Sequence, residues 1–399
     1  MIVWLLAPVY VLLNIYILLR VLRYFAVVHE KLRHPIAVSL SIAAYVFLML
    51  TPLLGYLIQA EPMHRWLKCI SNYWMGFLAI GLVTIAFFDL GRVILNRTLW
   101  KNDHPNEKRY RHGATCALII VAVVAGYGFF HFEDIKINEQ TITVDKSLAS
   151  GQDSLKVVLV ADLHMGYSIG YDNVDRLVDE INRQDADIVV MAGDIFDNEY
   201  EALEDPEKME KRLSEIKSRY GTYACWGNHD LPENLLAGFT VGGKDYIKDE
   251  RFYEFLEKSH IKLLEDESLL IGGDFYLIGR NDPSMSEKLG EKRMTPDQLT
   301  EGLDKSKPIL VIDHQPEELE ELADAGADVD FSGHTHNGQI FPGNLLTALT
   351  WENPAGTVKV GDMTSCVTQG AGVWGPAMRL GTDSEIMVIN IKFSKEDSI

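Results

Sequence analysis

The feature that most limits what this chain can be is a set of four long apolar stretches, all before residue 133. They run from Val3 to Leu19, continuing past Arg20 and Arg23, then from Ile36 to Ala60, Cys69 to Phe88 and Gly113 to Phe132. Each is close to the ~20 residues that a helix needs to cross a bilayer. A helix is the required form there, because lipid cannot satisfy open backbone N–H and C=O groups. Buried helices of a water-soluble bundle would show polar faces every few residues, and these stretches do not. The first stretch lacks a basic leading region and a small-residue cleavage site, so it is expected to be retained rather than removed as a signal peptide.

Basic residues set the expected orientation. Arg20, Arg23, Lys31 and Arg33 follow the first stretch, and Arg92, Arg97, Lys101, Lys108, Arg109 and Arg111 follow the third. Only Arg65 and Lys68 follow the second. The positive-inside rule then puts the first and third loops in the cytoplasm, and the N-terminus and everything after the fourth stretch outside. Asp89 and Arg92 are expected to mark a membrane interface. The helices show no cluster of buried charge, so an anchor is expected rather than a transporter.

Charge divides the chain at the same place. Residues 1–131 hold 12 Lys+Arg against 5 Asp+Glu, and the remainder holds 25 against 52. The polar part is thus strongly acidic, which repels a nucleic-acid backbone, and no nucleic-acid partner is expected. A small phosphate ester is still admissible, because bound cations reverse the local field. The expected organisation is a four-helix transmembrane anchor (1–132), a linker with a short strand at Thr141–Val144 (133–152), and a second domain (153–399). Cys69, Cys116, Cys225 and Cys366 show no CxxC spacing. A zinc knuckle is therefore not expected, and Cys225 and Cys366 are read as free buried thiols.

From Lys156 a plan repeats: an apolar run of strand length, then a loop of Asp, His, Asn or Gly. Lys156–Ala161 precedes Asp162-Leu-His164, and Ile188–Ala192 precedes Gly193-Asp194-Ile-Phe-Asp197-Asn198. Thr222–Trp226 precedes Gly227-Asn228-His229-Asp230, Ile309–Ile312 precedes Asp313-His314, and Val329–Ser332 precedes Gly333-His334-Thr-His336. Between the first two runs, Val174, Leu177, Val178 and Ile181 recur at helical spacing. Strands that end at one sheet edge bring such loops together, and sites on α/β sheets form at the carboxyl ends of strands. Mixed nitrogen and oxygen ligands suit Mn, Fe, Zn or Co better than Ca. Two such ions can clamp a phosphate and activate the attacking water. HxH or GD alone says little, but the whole series in this order is specific.

These motifs resemble the calcineurin-like metallophosphoesterase superfamily. Gly338-Gln-Ile340, Gln369-Gly-Ala-Gly372 and Arg379–Ile391 look like its bacterial membrane-attached YkuE- and YaeI-like branch. The resemblance implies an α-β-β-α sandwich of two mixed sheets behind the four helices. It implies that Asp162, His164, Asp194 and His336 hold one divalent metal ion. It implies that Asp194, Asn228, His314 and His334 hold the other, with Asp194 bridging. His229 would be the general acid, oriented by Asp197 or, alternatively, by Asp230; a histidine suits this work because its pKa lies near neutral.

The chain departs from the superfamily pattern at two places. Its protein phosphatases carry Arg where this chain has Asn198, which puts protein-phosphatase activity in doubt. Asn337 stands where related bacterial members often have Gly, and it is read as a substrate contact or a turn residue. Arg379 and Arg280 are candidates for positive charge near the substrate, Arg379 the stronger. The expected activity is hydrolysis of a phosphodiester or pyrophosphate bond, through a hydroxide bridging the two metals, on a lipid-linked or envelope substrate. The alternatives are a small-molecule phosphomonoesterase and a non-catalytic metal-bound binding module.

Overall fold

A computed structural model describes residues 2–101, 106–236, 239–241 and 246–394. The apolar stretches form α1 (Ile2–Val28), α2 (Pro35–Leu57), α3 (Met63–Arg97) and α4 (Glu107–His131). All four are long and apolar enough to cross a membrane. Three of them run past the apolar stretch by a turn or more. Arg20 and Arg23, read as loop residues, lie in α1, and Arg92 and Arg97 lie in α3. Arginine is a good helix former, and its long stem lets the charged head reach water from a helix end.

The helices also hold a partly buried charge cluster, contrary to expectation. Arg20 Nε is 2.6 Å from the Asp89 carboxylate, which lies 3.2 Å from Arg92 and accepts the Tyr16 hydroxyl at 2.7 Å. Asp89 lies between two arginines, which lowers the cost of burying its carboxylate. Deeper in, Tyr45 donates to the fully buried Asn14, and the Trp74 indole donates to Tyr10. Such polar contacts tie helices together where lipid supplies no hydrophobic drive.

Internal packing divides the chain into two units. One holds Met1–Phe130 with Asn234–Gly242 and Gly375–Met378; the other holds His131–Glu233, Gly243–Trp374 and Arg379–Ile399. The two short segments, read from the sequence as part of the second domain, thus group with the helices. Residues 395–399, assigned to that domain, lie outside the described residues.

The strands are β1 (Lys136–Val144), β2 (Ser154–Val160), β3 (Ile188–Ala192), β4 (Thr222–Cys225), the short pair β5 (Leu235–Leu236) and β6 (Phe239–Thr240), β7 (Ile261–Leu263), β8 (Glu267–Ile271), β9 (Phe275–Gly279), β10 (Ile309–Ile312), β11 (Val329–Ser332), β12 (Gly356–Val360), β13 (Met363–Val367) and β14 (Glu385–Phe393). Two six-stranded mixed sheets result, ordered β1-β14-β2-β3-β4-β7 and β12-β13-β11-β10-β9-β8. The helices of this unit are α5 (Tyr171–Arg183), α6 (Pro206–Leu213), α7 (Glu250–Lys258), α8 (Pro283–Leu289), α9 (Pro296–Thr300), α10 (Leu319–Asp324) and α11 (Gly343–Thr350).

The inner faces of the two sheets share one core. Val157, Leu159 and Val190 of the first sheet pack with Leu277, Leu310 and Phe331 of the second. The outer face of the first sheet, with Val158, Val160 and Val189, is covered by Val174, Leu177, Val178 and Ile181 of α5 and by residues of α6 and α7. Ile309 and Val311 of the second sheet are covered by Leu299 of α9 and by Leu319 and Leu322 of α10. The central strands are therefore buried on both faces, which is why they read as unbroken apolar runs. The layers are α-β-β-α, as expected.

The segment read as a linker is different. Residues 136–144 form a nine-residue edge strand, β1, parallel to β14 and in register from Lys136 with Glu385 to Val144 with Phe393. Its polar start hid it, because an edge strand needs apolar residues only where it meets the core, here at Ile137, Ile142 and Val144.

Candidate metal centre

The loops after β2, β3, β4, β10 and β11 converge at one edge of the sandwich, and they carry every residue read as a metal ligand. Asp162, His164 and His336 form one compact group, and Asp194, His314 and His334 form a second. Asn228 joins the second group, its Oδ1 lying 3.1 Å from His314 Nε2. His314 Nε2 is also 3.1 Å from His334 Nδ1 and 3.1 Å from Asp194 Oδ2. In the first group the Nε2 atoms of His164 and His336 are 3.0 Å apart. Asp194 Oδ2 lies 3.6 Å from His164 Nε2, so one carboxylate oxygen reaches both groups.

The local backbone is bent to make this possible. Asp162, His164, Asp194, His334 and His336 all have φ between 48° and 68°. That region costs a non-glycine residue about 1–2 kcal/mol, and such strain gathers at functional sites. Glycine is required beside them. A Cβ on Gly227 would come within 2.3 Å of Asp194, and one on Gly333 within 2.8 Å of Asp162 Oδ2. Cross-links then fix the loops: the His334 N–H donates to both Asp162 oxygens at 3.0 Å. Asp230 accepts from the Phe196 and Gly227 N–H groups, joining the β3 and β4 loops.

The electrostatics fit cations. Burial pushes the imidazoles of His164 and His334 down to about 3, and that of His336 well below the usual range. These rings are neutral near pH 7, with lone pairs to offer. Burial would raise Asp194, but the imidazoles of His314 and His229 outweigh it and hold the carboxylate ionised. Burial lifts Asp162 to about 7, which marks a buried carboxylate short of positive charge. Neutral imidazoles in both groups, beside an under-compensated carboxylate in the first, are what a divalent metal selects. His314 donates Nδ1–H to the Ala192 carbonyl at 2.9 Å; burial would lower its pKa, but the Asp194 carboxylate outweighs this and raises it well above the usual range, so a metal ion at Nε2 would displace a proton.

Three assignments change. His229 Nδ1 lies 2.8 Å from Asn198 Oδ1, so Asn198 orients it rather than Asp197 or Asp230. The Asn198 amide is fixed because its Nδ2 donates to the Leu231 carbonyl at 2.9 Å. Its Oδ1 must then accept Nδ1–H, which leaves Nε2 of His229 for chemistry. Asp197 instead sits 3.8 Å from Nδ1 of His164. Its carboxylate follows the β3 loop to the rear of that ligand, while Asp230 is spent on backbone amides. In the sequence Asn198 marks a departure from arginine, and its place next to the GDxxD motif is the one signal of this role.

Arg379 is not a substrate contact. It is fully buried and donates to the carbonyls of His336, Gln369, Gly370 and Gly372 at 2.6–3.2 Å. A guanidinium whose two terminal nitrogens donate to these carbonyls supports the loop that carries His336. Arg280 is likewise buried, paired with Asp313 and Glu318. Asn337 takes the turn role: it has φ 47°, its N–H donates to Thr335 Oγ1, and its amide donates to Gln369. Two tryptophans missed by motif reading flank the centre, the Trp351 ring 5.1 Å from His334 and the Trp374 ring 5.7 Å from His229. Cys225 and Cys366 are free and buried, as expected.

A phosphoesterase dependent on metal ions is the class that this fold and ligand set define. The family model for calcineurin-like phosphoesterases matches residues 155–338. A "transmembrane protein with metallophosphoesterase domain" of Danio rerio is 28% identical over 84% of this chain and 76% of its own length. An uncharacterized metallophosphoesterase of Helicobacter pylori is 31% identical, over 64% of each chain. More distant are the metallophosphoesterase YkuE of Bacillus subtilis (24% identical, 72% of this chain, 98% of that one) and the UDP-2,3-diacylglucosamine pyrophosphatase LpxG of Chlamydia trachomatis (22% identical, 51% and 68%). The chain thus carries a calcineurin-like phosphoesterase domain over residues 155–338, behind four candidate membrane helices.

Proposed function

We propose that this protein is a membrane-anchored, two-metal phosphoesterase that cleaves a phosphodiester or pyrophosphate bond in a lipid-linked or envelope substrate. The observation that carries the reading is the reach of Asp194 Oδ2 to both ligand groups, 3.1 Å from His314 and 3.6 Å from His164. Asp162, His164, Asp194 and His336 would hold one ion, and Asp194, Asn228, His314 and His334 the other. Two divalent ions there supply Lewis acidity toward the phosphoryl oxygens and activation of the attacking water.

The chain's own residues do the rest. The His229 N–H donates to Asp194 Oδ1 at 2.7 Å, which holds the histidine beside the shared carboxylate. Asn198 accepts Nδ1–H, so the imidazolium form of His229 would carry a second proton on Nε2, and that is the one given to the leaving oxygen. The lipid-linked substrate is supported by the four candidate membrane helices and by the likeness to LpxG. The basic residues flanking the first and third helices support an extracytoplasmic domain.

The test uses the full chain in lipid nanodiscs, with metal content and hydrolysis of bis(p-nitrophenyl) phosphate and its monoester measured together. Wild type should bind two metals and prefer the diester. His229→Ala should keep both metals and lose about 10²–10⁴-fold in kcat. Unchanged kcat would remove His229 from the mechanism. Preference for the monoester would turn the reading toward small-molecule phosphomonoesters, and a folded protein that binds no metal would leave a binding module.

A further inference from the structure

The second unit carries an apolar patch that its own fold does not cover. Among the described residues, Phe341, Leu345, Leu346 and Leu349 are 59%, 56%, 65% and 84% exposed. Three of them lie on α11 and the fourth just before it. No Asp, Glu, Lys or Arg occurs between Asp330 and Glu352, inside the strongly acidic part of the chain.

The patch is tied to the metal centre. It follows His334 and His336 directly, and the turn containing His336 packs on α11. Gly338 and Gly343 approach so closely that a Cβ on either would fall within 2.3 Å of the other's backbone. Trp351, at the far end of the helix, places its ring 5.1 Å from His334.

We propose that α11 lies in the bilayer surface, with Leu345, Leu346 and Leu349 among the acyl chains, and that a lipid's phosphate reaches the metal centre past Trp351. This rests on the lipid-linked reading above for the substrate, though not for the insertion. Three observations select lipid over a protein partner. The chain carries four candidate membrane helices, so a bilayer is at hand. The patch has no charge with which to recognise an acidic or basic partner, and it is the uncharged window through which an acidic domain can touch an anionic lipid surface. Its hydroxyls are also already satisfied: Thr347 donates to Asn344 O at 3.1 Å and Thr350 to Leu346 O at 3.1 Å. A helix of eight residues is about 12 Å long, too short to span a bilayer but suited to lying in its surface, with a tryptophan at the polar boundary.

The test places an environment-sensitive NBD label at Leu346→Cys in the full chain in nanodiscs. Cys69 and Cys116 are replaced by Ser, because Cys225 and Cys366 are buried. Glu301→Cys, an exposed site, is the control. Phospholipids bearing a nitroxide should quench position 346 about threefold more than position 301, with a blue-shifted emission at 346. Quenching of 346 by aqueous iodide as at 301 would overturn the insertion. Shielding from both quenchers would overturn it too, and would point to a protein or a second copy as the cover.

The triple change Leu345→Gln, Leu346→Gln and Leu349→Gln should lower kcat/KM for a long-chain lipid phosphodiester about tenfold and leave bis(p-nitrophenyl) phosphate unchanged. An equal loss on both would overturn the role in admitting substrate. The label needs no turnover, so a protein that hydrolyses neither ester still reports whether α11 is inserted.

Discussion

The two ligand groups are built from the same residue types but are enclosed differently. Asp162, His164 and His336 are all buried, whereas in the other group His334 and Asn228 are only half-buried. The enclosed group is backed by polar side chains: the buried Arg379 behind His336 and the partly buried Asp197 beside His164. The open group is backed mainly by backbone, as in the bond from His314 to the Ala192 carbonyl, and is bordered by His229 and Trp351. The comparison teaches a division of labour. An enclosed donor set is suited to fixing an ion, and a set with an open side has room for a further oxygen ligand.

The strongest way to break this comparison is to remove what the groups share. Asp194→Asn should lower metal content in both and reduce kcat/KM on bis(p-nitrophenyl) phosphate about a thousandfold. Loss of one metal with the second intact would show that Asp194 serves a single group.

Arg379→Lys sharpens the difference. Lysine cannot reach four carbonyls from one planar head, so the enclosed group should lose about 10–100-fold in metal affinity while the open group is spared. Titration with Mn²⁺, followed by metal content, separates the two. An effect on substrate KM alone would restore Arg379 as a substrate contact.

On the open side, Asn198→Ala should cut kcat about tenfold with both metals retained, because His229 loses the partner that fixes its tautomer. Asn198→Asp keeps an acceptor at that place and should recover part of the rate. Asp197→Asn should disturb the enclosed group and leave the proton donor alone; the reverse pattern would return Asp197 to its first role.

The last effect is on stability and leaves turnover aside. Asp330 is buried under the β11 loop, where it accepts from Ser332 and Ser365, and burial lifts it to about 7. Its folded value lies above the unfolded one, so the native state keeps a proton that the unfolded chain has lost. Stability should therefore fall as pH rises from about 4 to about 7, by at most about 4 kcal/mol from this residue. Asp330→Asn stays neutral throughout and should flatten that slope, read as hydrogen exchange of the β11 amides at pH 5 and pH 8. An unchanged slope would clear Asp330 of the effect.

Much of this protein is legible in its sequence, for a physical reason. Bilayer thickness dictates the length of an apolar helix, so the four helices could be counted before any fold was known. Strands buried on both faces must be apolar throughout, so Val157–Val160, Ile188–Ala192 and Ile309–Ile312 announced themselves, each followed by residues suited only to a loop. The ligand types follow from the same motifs, since few other residues donate lone pairs to a metal. Tertiary structure decided what distance decides. It set which neighbour of His229 holds the ring, because Asp197 and Asn198 are adjacent in sequence but point to different histidines. It turned Arg379 from an apparent substrate contact into a support, because its carbonyl partners come from separate loops. It also drew residues 136–144 into the first sheet, since edge pairing with β14 spans nearly 250 residues of chain and leaves almost no local mark.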